Sequence, residues 1–557
     1  MNFSASVLDN VTTSDSVNND DVKLSPKLLR ELKRRQRADT GNSSLDRVWE
    51  SAARLMDTGG SKPPDLHCVG WRQTDDCGTK DSVAHKKHRG CDQFVRGGVA
   101  GYCLMEDETS GQQVQVMHIS CDTLHPSVML SCRHAGDFVD FQWKVEKLSA
   151  TIKEETKSGS EQQMASATAT EGIVMVMYPK LIVSAYASIR TLRAVNCTLP
   201  VELWYLESEM GKGSTNESLL ETIPKQLKSK FGPLTLRSIE DSRVVGFNSK
   251  VYAILHSKFD RVLFLDADNV PVKDPSYLFK TPEFVQTGAI FWPDFWHPMK
   301  TIFNINDESL LWEMLATPYV DMFEQESGQL MIDKTRSAAA LRMLSLFAFH
   351  DPNLFSRYKL AHGDKDLFRL AWLKTKTPFH MIANPPGIAG SVRERKFCGM
   401  SMVQSDPQGE VLFLHRNAKK LTGGLGPKYE PDSKIWTHLQ RFRYRAASPH
   451  DPTMEAAFEE LKANVPPDSR IGGPRVAVGN LEMPYNLLRQ KYAVDIFNGA
   501  PEFDETQWCY GRPKLTVPRF KTVAWEDTPF SAIEDDLLRY SAEAGALLSQ
   551  SEGQEAG

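Results

Sequence analysis

Arg261-Val-Leu-Phe-Leu-Asp-Ala-Asp-Asn-Val-Pro271 is the stretch from which the fold is read. Its apolar run, Val262 to Leu265, predicts a short strand buried on both faces, as in a parallel α/β sheet. Asp266 and Asp268 follow at once. If the strand continues through them, both carboxylates point the same way, because side chains on a strand repeat every two residues. Pro271 cannot donate a ladder hydrogen bond, so the strand is expected to stop near it. Acidic side chains at the carboxyl end of a buried strand lie where open α/β sheets bind ligands.

Two neighbouring carboxylates repel and are costly to bury unless a cation lies between them. Mg²⁺ and Mn²⁺ take oxygen ligands and are commonly held by one or two carboxylates plus substrate phosphates. Asp-x-Asp at the end of such a strand therefore predicts a metal–diphosphate site, against the plainer reading of a surface turn.

Working outward, strands and helices alternate on both sides of this stretch. Gly172–Met177, Pro200–Leu206 and Pro233–Ile239 read as strands, with helices expected over 181–194 and 218–231. Ser249 opens a further helix whose Val251, Ile254 and Leu255 share one face. Further on lie an apolar helix over 338–349, a helix start at Gly363-Asp-Lys-Asp366, and a late strand, 409–416, that ends in His415. The alternation predicts a doubly wound, mostly parallel sheet flanked by helices.

Composition bounds the alternatives. With 41% hydrophobic and 25% charged residues the chain can bury a large core, and a net charge of −5 without a basic stripe argues against nucleic acid as a partner. The first thirty residues lack the apolar core of a signal peptide, and no apolar run is long enough to span a bilayer. The cysteines point the other way on compartment. Cys68, Cys77, Cys91, Cys103, Cys121 and Cys132 cluster as a disulfide framework would, without the C-x-x-C pairs usual at zinc sites. Acceptor sequons at Asn2, Asn10, Asn42, Asn196 and Asn216 agree with a secretory lumen. The expected organisation is a mostly disordered polar stem (1–65), a cysteine-rich module (66–145), a linker (146–171), an α/β domain (172–450), an extension packed on it (451–540) and a disordered tail (541–557).

Leu199-Pro-Val-Glu-Leu-Trp-Tyr205, Lys250 with Ala253-Ile-Leu-His-Ser257, Phe264–Pro271, Glu326-Ser-Gly-Gln329 and Gly363-Asp-Lys365 occur in that order. This series resembles the fungal-type α-mannosyltransferases of the Golgi. The resemblance covers about 172–420 and implies a GT-A fold, a GDP-mannose donor, a glycan or glycoprotein acceptor, retention giving an α-linkage, and a membrane anchor that is not visible here. More distantly, Asp-x-Asp and the late histidine are similar to glycogenin-type transferases, which use UDP-sugars. A third reading is a catalytically silent carbohydrate-binding protein with the cysteine-rich module as its lectin.

Asp266 and Asp268 are the expected metal ligands. The glycogenin-like pattern adds His415, whose imidazole suits Mn²⁺ better than Mg²⁺. On the donor side the resemblance implies Lys250 and Lys365 near the diphosphate and Asp364 on the sugar hydroxyls, with Asn269 shaping the turn or touching the sugar. Tyr178 stands where the family has small residues beside the nucleotide. Asp364, Asp366, Glu326 and Gln329 are the candidate catalytic residues. Trp292, Asp294 and Trp296 form a candidate acceptor platform, because aromatic faces suit sugar rings. The plainer readings are helix N-caps for Asp364 and Asp366, a solvated lysine for Lys250, and core packing for His415 and the tryptophans.

Overall fold

The computed structural model describes residues 63–76, 88–157, 169–210, 214–424, 432–442, 476–478, 481–483, 492–503, 508–517 and 520–555. Nearly all of the expected stem, and most of the chain between 443 and 491, lie outside them.

The cysteine-rich module is built on three antiparallel strands, β1 (Leu66–Asp76), β2 (Val99–Asp107) and β3 (Gln113–Ile119). A sheet this small buries little, and cross-links make up the deficit. Cys68 is bonded to Cys91 and Cys103 to Cys132, and Cys121 is also in a disulfide. Helix α1 (Ala135–Lys157) follows without a break, so the boundary expected at 145 falls inside it. Its buried residues Phe138, Phe141, Val145, Ser149 and Ile152 recur every three or four positions. The polar residues between them had suggested a linker.

The main sheet has the predicted doubly wound form, of the GT-A type. Strands β4 (Glu171–Met177), β5 (Val201–Leu206), β6 (Leu234–Ile239) and β7 (Arg261–Leu265) are parallel. Helices α2 (Ile182–Ala194), α3 (Ser214–Phe231) and α4 (Asn248–His256) connect them. Both faces of β4, β5 and β7 are covered, hence their largely apolar runs, whereas the edge strand β6 is partly exposed. After β7 the chain crosses to a second, antiparallel sheet through the edge strand β8 (Asn269–Pro271), where Pro271 is tolerated because one side of an edge strand is unpaired. It returns as β9 (Ala289–Pro293), makes a long excursion that contains only one short helix, α5 (Leu310–Met314), and re-enters as β10 (Gln325–Asp333), antiparallel to β7 and β9. Helices α6 (Ala338–Phe349) and α7 (Leu367–Thr375) pack alongside, and β11 (His380–Met381) closes the order β11-β9-β10-β7-β4-β5-β6.

The second sheet runs β8-β14-β13-β12-β15-β16, with β12 (Gly387–Arg393), β13 (Lys396–Ser405), β14 (Val411–His415), β15 (His438–Phe442) and β16 (Phe520–Ala524). A disulfide from Cys398 to Cys509 ties the C-terminal segment to β13.

Two expectations are corrected here. Strand β7 stops at Leu265; Asp266 to Asp268 form a turn, closed by the Asn269 N–H donating to the Asp266 carbonyl at 3.0 Å, because the chain must leave one sheet for the other. The tail is also ordered: α8 (Ile533–Glu555) lies against α2 and α3. Its Glu534 accepts from the N–H groups of Ile435 (2.7 Å) and Trp436 (3.1 Å) and pairs with buried Arg416 at 3.0 Å. Arg416 adjoins His415, so the last helix braces the strand that carries the candidate third ligand. Glu534→Ala leaves one buried cation and two N–H groups without their acceptor. The expected cost is about 3–5 kcal/mol, read as a lower urea midpoint.

Candidate functional site

The site lies on the seam between the two sheets. Asp266 and Asp268 come from the turn after β7, and His415 ends β14, directly opposite Asn269 of β8. One ligand atom from each of the three lies within 4.8 Å of the others. His415 Nε2 is 3.2 Å from Asp268 Oδ1 and 4.0 Å from Asp266 Oδ2. Two carboxylate oxygens and one imidazole nitrogen make a donor set that fits a divalent ion tolerant of nitrogen, Mn²⁺ more readily than Mg²⁺.

Glu326-Ser-Gly-Gln329 of β10 flanks this turn, and each of its residues has a local task. The Asp266 N–H donates to the Gly328 carbonyl at 2.9 Å. A Cβ on Gly328 would lie 2.6 Å from His415 Nδ1, so only glycine permits the imidazole to come this close. Gln329 is fully buried, and its Oε1 accepts from Asn269 Nδ2 at 2.6 Å. Both amides thus shape the turn from within the core, and Gln329 is not at an exposed reacting surface. Glu326 Oε1 accepts from the Gly328 N–H at 2.7 Å and stands 3.5 Å from His415 Nδ1.

Cations surround the acidic turn. Lys250, which is buried in the first turn of α4, donates to the carbonyl and Oγ of Ser327 (2.9 Å each) and lies 3.2 Å from Asp266 and 3.6 Å from Asp364. Burial disfavours its charge, yet the carboxylates of Asp266, Asp364 and Glu326 raise its pKa. Burial raises Asp364 to about 6, helped by Asp266 and opposed by Lys250. Glu326 falls to about 2: burial opposes this, but His415, Lys250 and Lys365 outweigh it. Lys420, half-buried just beyond β14, pairs directly with Asp268, and burial lowers it to about 8. No sequence motif had marked Lys420. Tyr178 is adjacent, its hydroxyl bonded to Ser249 Oγ at 2.8 Å and pushed to about 12 mainly by burial.

A second cluster centres on Lys365. Its ammonium is buried between Glu324 (2.7 Å), Asp294 (2.8 Å) and Asp366 (3.2 Å). Asp294 rises to about 7, through burial and the charges of Glu326 and Glu324, which outweigh Lys365. Asp366 is fully buried, accepting from the Gln325 N–H at 3.0 Å and from Arg369 Nε at 2.5 Å. It is a structural anchor at the start of α7, not a group facing substrate. The acceptor platform is likewise corrected. Trp292 is fully buried with its indole N–H on the Ser405 carbonyl at 2.7 Å, and Trp296 packs in a core cluster with Phe323 and Tyr492. Trp292 is core because β9 is covered on both faces, and Trp296 because the start of the excursion packs inward. Other aromatic rings reach solvent near the site: exposed Phe247 before Lys250, half-buried Phe303 in the excursion, and exposed His362 between them, 6.2 and 5.4 Å from the two ring centres.

The sheet order and the seam cluster define a GT-A-type glycosyltransferase fold with a candidate divalent-metal site. Residues 170–406 match the family described as "Mannosyltransferase putative". Among curated relatives, the α-1,2-mannosyltransferases MNN2 and MNN5 of Saccharomyces cerevisiae are 28% and 24% identical over 42% and 51% of this chain, and 45% and 57% of their own lengths. MNN21 of Candida albicans is 26% identical over 41% of each. The matched part of the chain is thus similar to fungal α-1,2-mannosyltransferases, and the chain spans about half the length of the curated relatives it matches. Among solved structures, galactosyltransferase LgtC with donor and acceptor analogues is 14% identical over 39% of this chain and 74% of that one, at a TM-score of 0.27. Glycosyltransferase GlyE of Streptococcus pneumoniae is 13% identical over 38% and 45%, at 0.26.

Removing the central cation of the second cluster leaves three buried carboxylates without it. Lys365→Ala is expected to cost about 3–5 kcal/mol, measured as a lower urea midpoint with an unchanged slope.

Proposed function

We propose that this protein is a metal-dependent, retaining α-mannosyltransferase that moves mannose from GDP-mannose to a hydroxyl of a glycan or glycoprotein. The observation that carries the reading is the Asp266–Asp268–His415 cluster, placed at the carboxyl end of β7 in a chain whose residues 170–406 match a mannosyltransferase family. Mannose and the α-linkage come from the relatives, which are called α-1,2-mannosyltransferases.

A divalent ion held by Asp266, Asp268 and His415 would offset the negative charge that builds on the leaving diphosphate. The protein's own groups supply the rest. Lys250 fixes Asp266 and Asp364 relative to each other. Lys420 is half-exposed beside Asp268 and is the cation best able to reach a phosphate oxygen. Asp364, poised near neutrality, can accept from or donate to a sugar hydroxyl. Glu326 is held ionised and can oppose positive charge developing at the anomeric carbon. Phe247, His362 and Phe303 replace the tryptophans as the acceptor's platform, their apolar faces suiting a pyranose ring.

The disulfides support an oxidising compartment, the secretory lumen, with the Golgi as the expected station. Among the described residues no helix is long and apolar enough to cross a membrane.

Calorimetry with GDP-mannose and with several UDP-sugars, each with and without Mn²⁺, tests the reading. Mn²⁺-dependent binding of GDP-mannose is expected. Binding of a UDP-sugar alone would overturn the mannose assignment, and binding of no donor by the folded protein would overturn transfer altogether. Asp268→Ala should abolish Mn²⁺-dependent binding and lower turnover by about a thousandfold or more while the fold survives. A fully active variant would remove the metal from the mechanism.

A further inference from the structure

The cysteine-rich module lies outside the region matched by the family, and its contacts within the fold point to a task. The excursion between β9 and β10 begins with Asp294 and ends with Glu324, the two carboxylates closest to Lys365. Its ends are pinned by the Asp294 N–H on the Glu324 carbonyl (2.8 Å) and the Glu324 N–H on the Trp296 carbonyl (2.9 Å). Between them it carries Phe303 of the aromatic cluster and has little regular structure. A connection this long inside a compact domain is commonly functional and needs an external hold.

That hold comes from the module. Strand β3 bulges at Met117 and His118: Gly101 faces Ile119 and Cys103 faces Val116, so two residues oppose one. Met117 sits at φ 55°, rare for a residue other than glycine. The bulge lifts two N–H groups out of the ladder, and Glu313 of the excursion accepts both, at 2.8 Å each. Glu313 Oε1 is also 3.2 Å from His118 Nδ1, and the Glu313 carbonyl accepts from Gln142 of α1 at 2.6 Å. Next to Phe303, the amides of Asn304 and Asn306 both donate to the Asp122 carbonyl, at 3.2 and 3.1 Å. The Leu310 N–H donates to the Thr123 carbonyl, and Ser120 bonds Glu308. Helix α1 also holds α6, α7 and the segment between them through ion pairs with Arg342, Lys374 and Arg357.

We infer that the cysteine-rich module is an intramolecular buttress that positions the acceptor side of the site, holding Phe303 and the Asp294–Glu324 stem through Glu313 and the β3 bulge. This rests on the transfer reading above. Residues of the module act as positioning residues and none need touch substrate, which distinguishes this role from a lectin's.

Full-length Glu313→Ala is compared with wild type by amide hydrogen exchange, by donor calorimetry with GDP-mannose and Mn²⁺, and by transfer to α-linked mannobiose. The expected result is about tenfold faster exchange across 300–316 and an acceptor KM raised about tenfold, with the donor Kd within about twofold. Unchanged exchange, or faster exchange with an unchanged acceptor KM, would overturn the buttress. So would donor affinity falling in step with acceptor affinity, because that signals general loosening. Should Glu313→Ala fail to fold, Asn304→Gly decides by the same readouts, since glycine keeps the φ of 55° there and removes only the bond to Asp122. Wild type that transfers nothing would defeat the transfer reading; active wild type with an indifferent variant would defeat the buttress alone.

Discussion

Like charge held at the end of a buried strand is the constraint on which the rest of this structure depends. Asp266 and Asp268 stand next to Asp364 and Glu326, with Asp268 and Asp364 buried and the other two partly so. Such a group is tolerated only if cations are held among it with good geometry, because the desolvation of each carboxylate costs several kcal/mol. Lys250, His415 and Lys420 meet that need from three different elements. Each of those elements is then fixed in its turn: α4 through the Ser327 backbone, β14 through Arg416 and Glu534, and β10 through a glycine that lets imidazole approach. The second sheet exists, in this sense, to bring a histidine and a lysine to the end of the first.

The Lys365 cluster obeys the same rule with the signs exchanged. One ammonium among three carboxylates is stable where it lies, and it locks β9, β10 and the start of α7 together. Glu326 is electrostatically coupled to both clusters, drawn down by His415, Lys250 and Lys365 together. A change of charge in one cluster is therefore felt in the other through a single side chain.

Much of this was legible in the chain because local pattern and global fold agree. Apolar runs of four to seven residues mark strands covered on both faces, and helix 338–349 is bounded as its composition predicts. Asp266, Asp268, Lys250 and His415 announce themselves by charge placed where an apolar element ends. What stayed hidden depends on tertiary context. The turn at Asp266 could not be told from a continued strand, since the exit to a second sheet is set by partners more than a hundred residues away. Trp292 and Trp296 suggested a platform because sequence does not say that β9 is covered on both sides or that the residues after it pack on Phe323 and Tyr492. Lys420 has no motif, and its role follows only from the path of the chain after β14. The order of α8 was masked by a polar composition whose apolar residues, Ile533, Leu537, Tyr540, Ala544 and Leu548, recur at helical spacing.

The two halves of the site therefore differ in how they are encoded. The proposed metal and donor side is assembled from short motifs at the ends of β7, β10 and β14, so its geometry follows from sheet register and shifts little unless a strand slips. The proposed acceptor side hangs on an irregular excursion, and side-chain bonds to a separate disulfide-linked sheet supply ordering that its own local structure does not. On the transfer reading proposed above, changes in the module or the excursion would alter which hydroxyl is presented while leaving the cations around Asp266 and Asp268 untouched. Acceptor preference would then vary at small cost to the chemistry, because the residues that set it are not Asp266, Asp268 and His415.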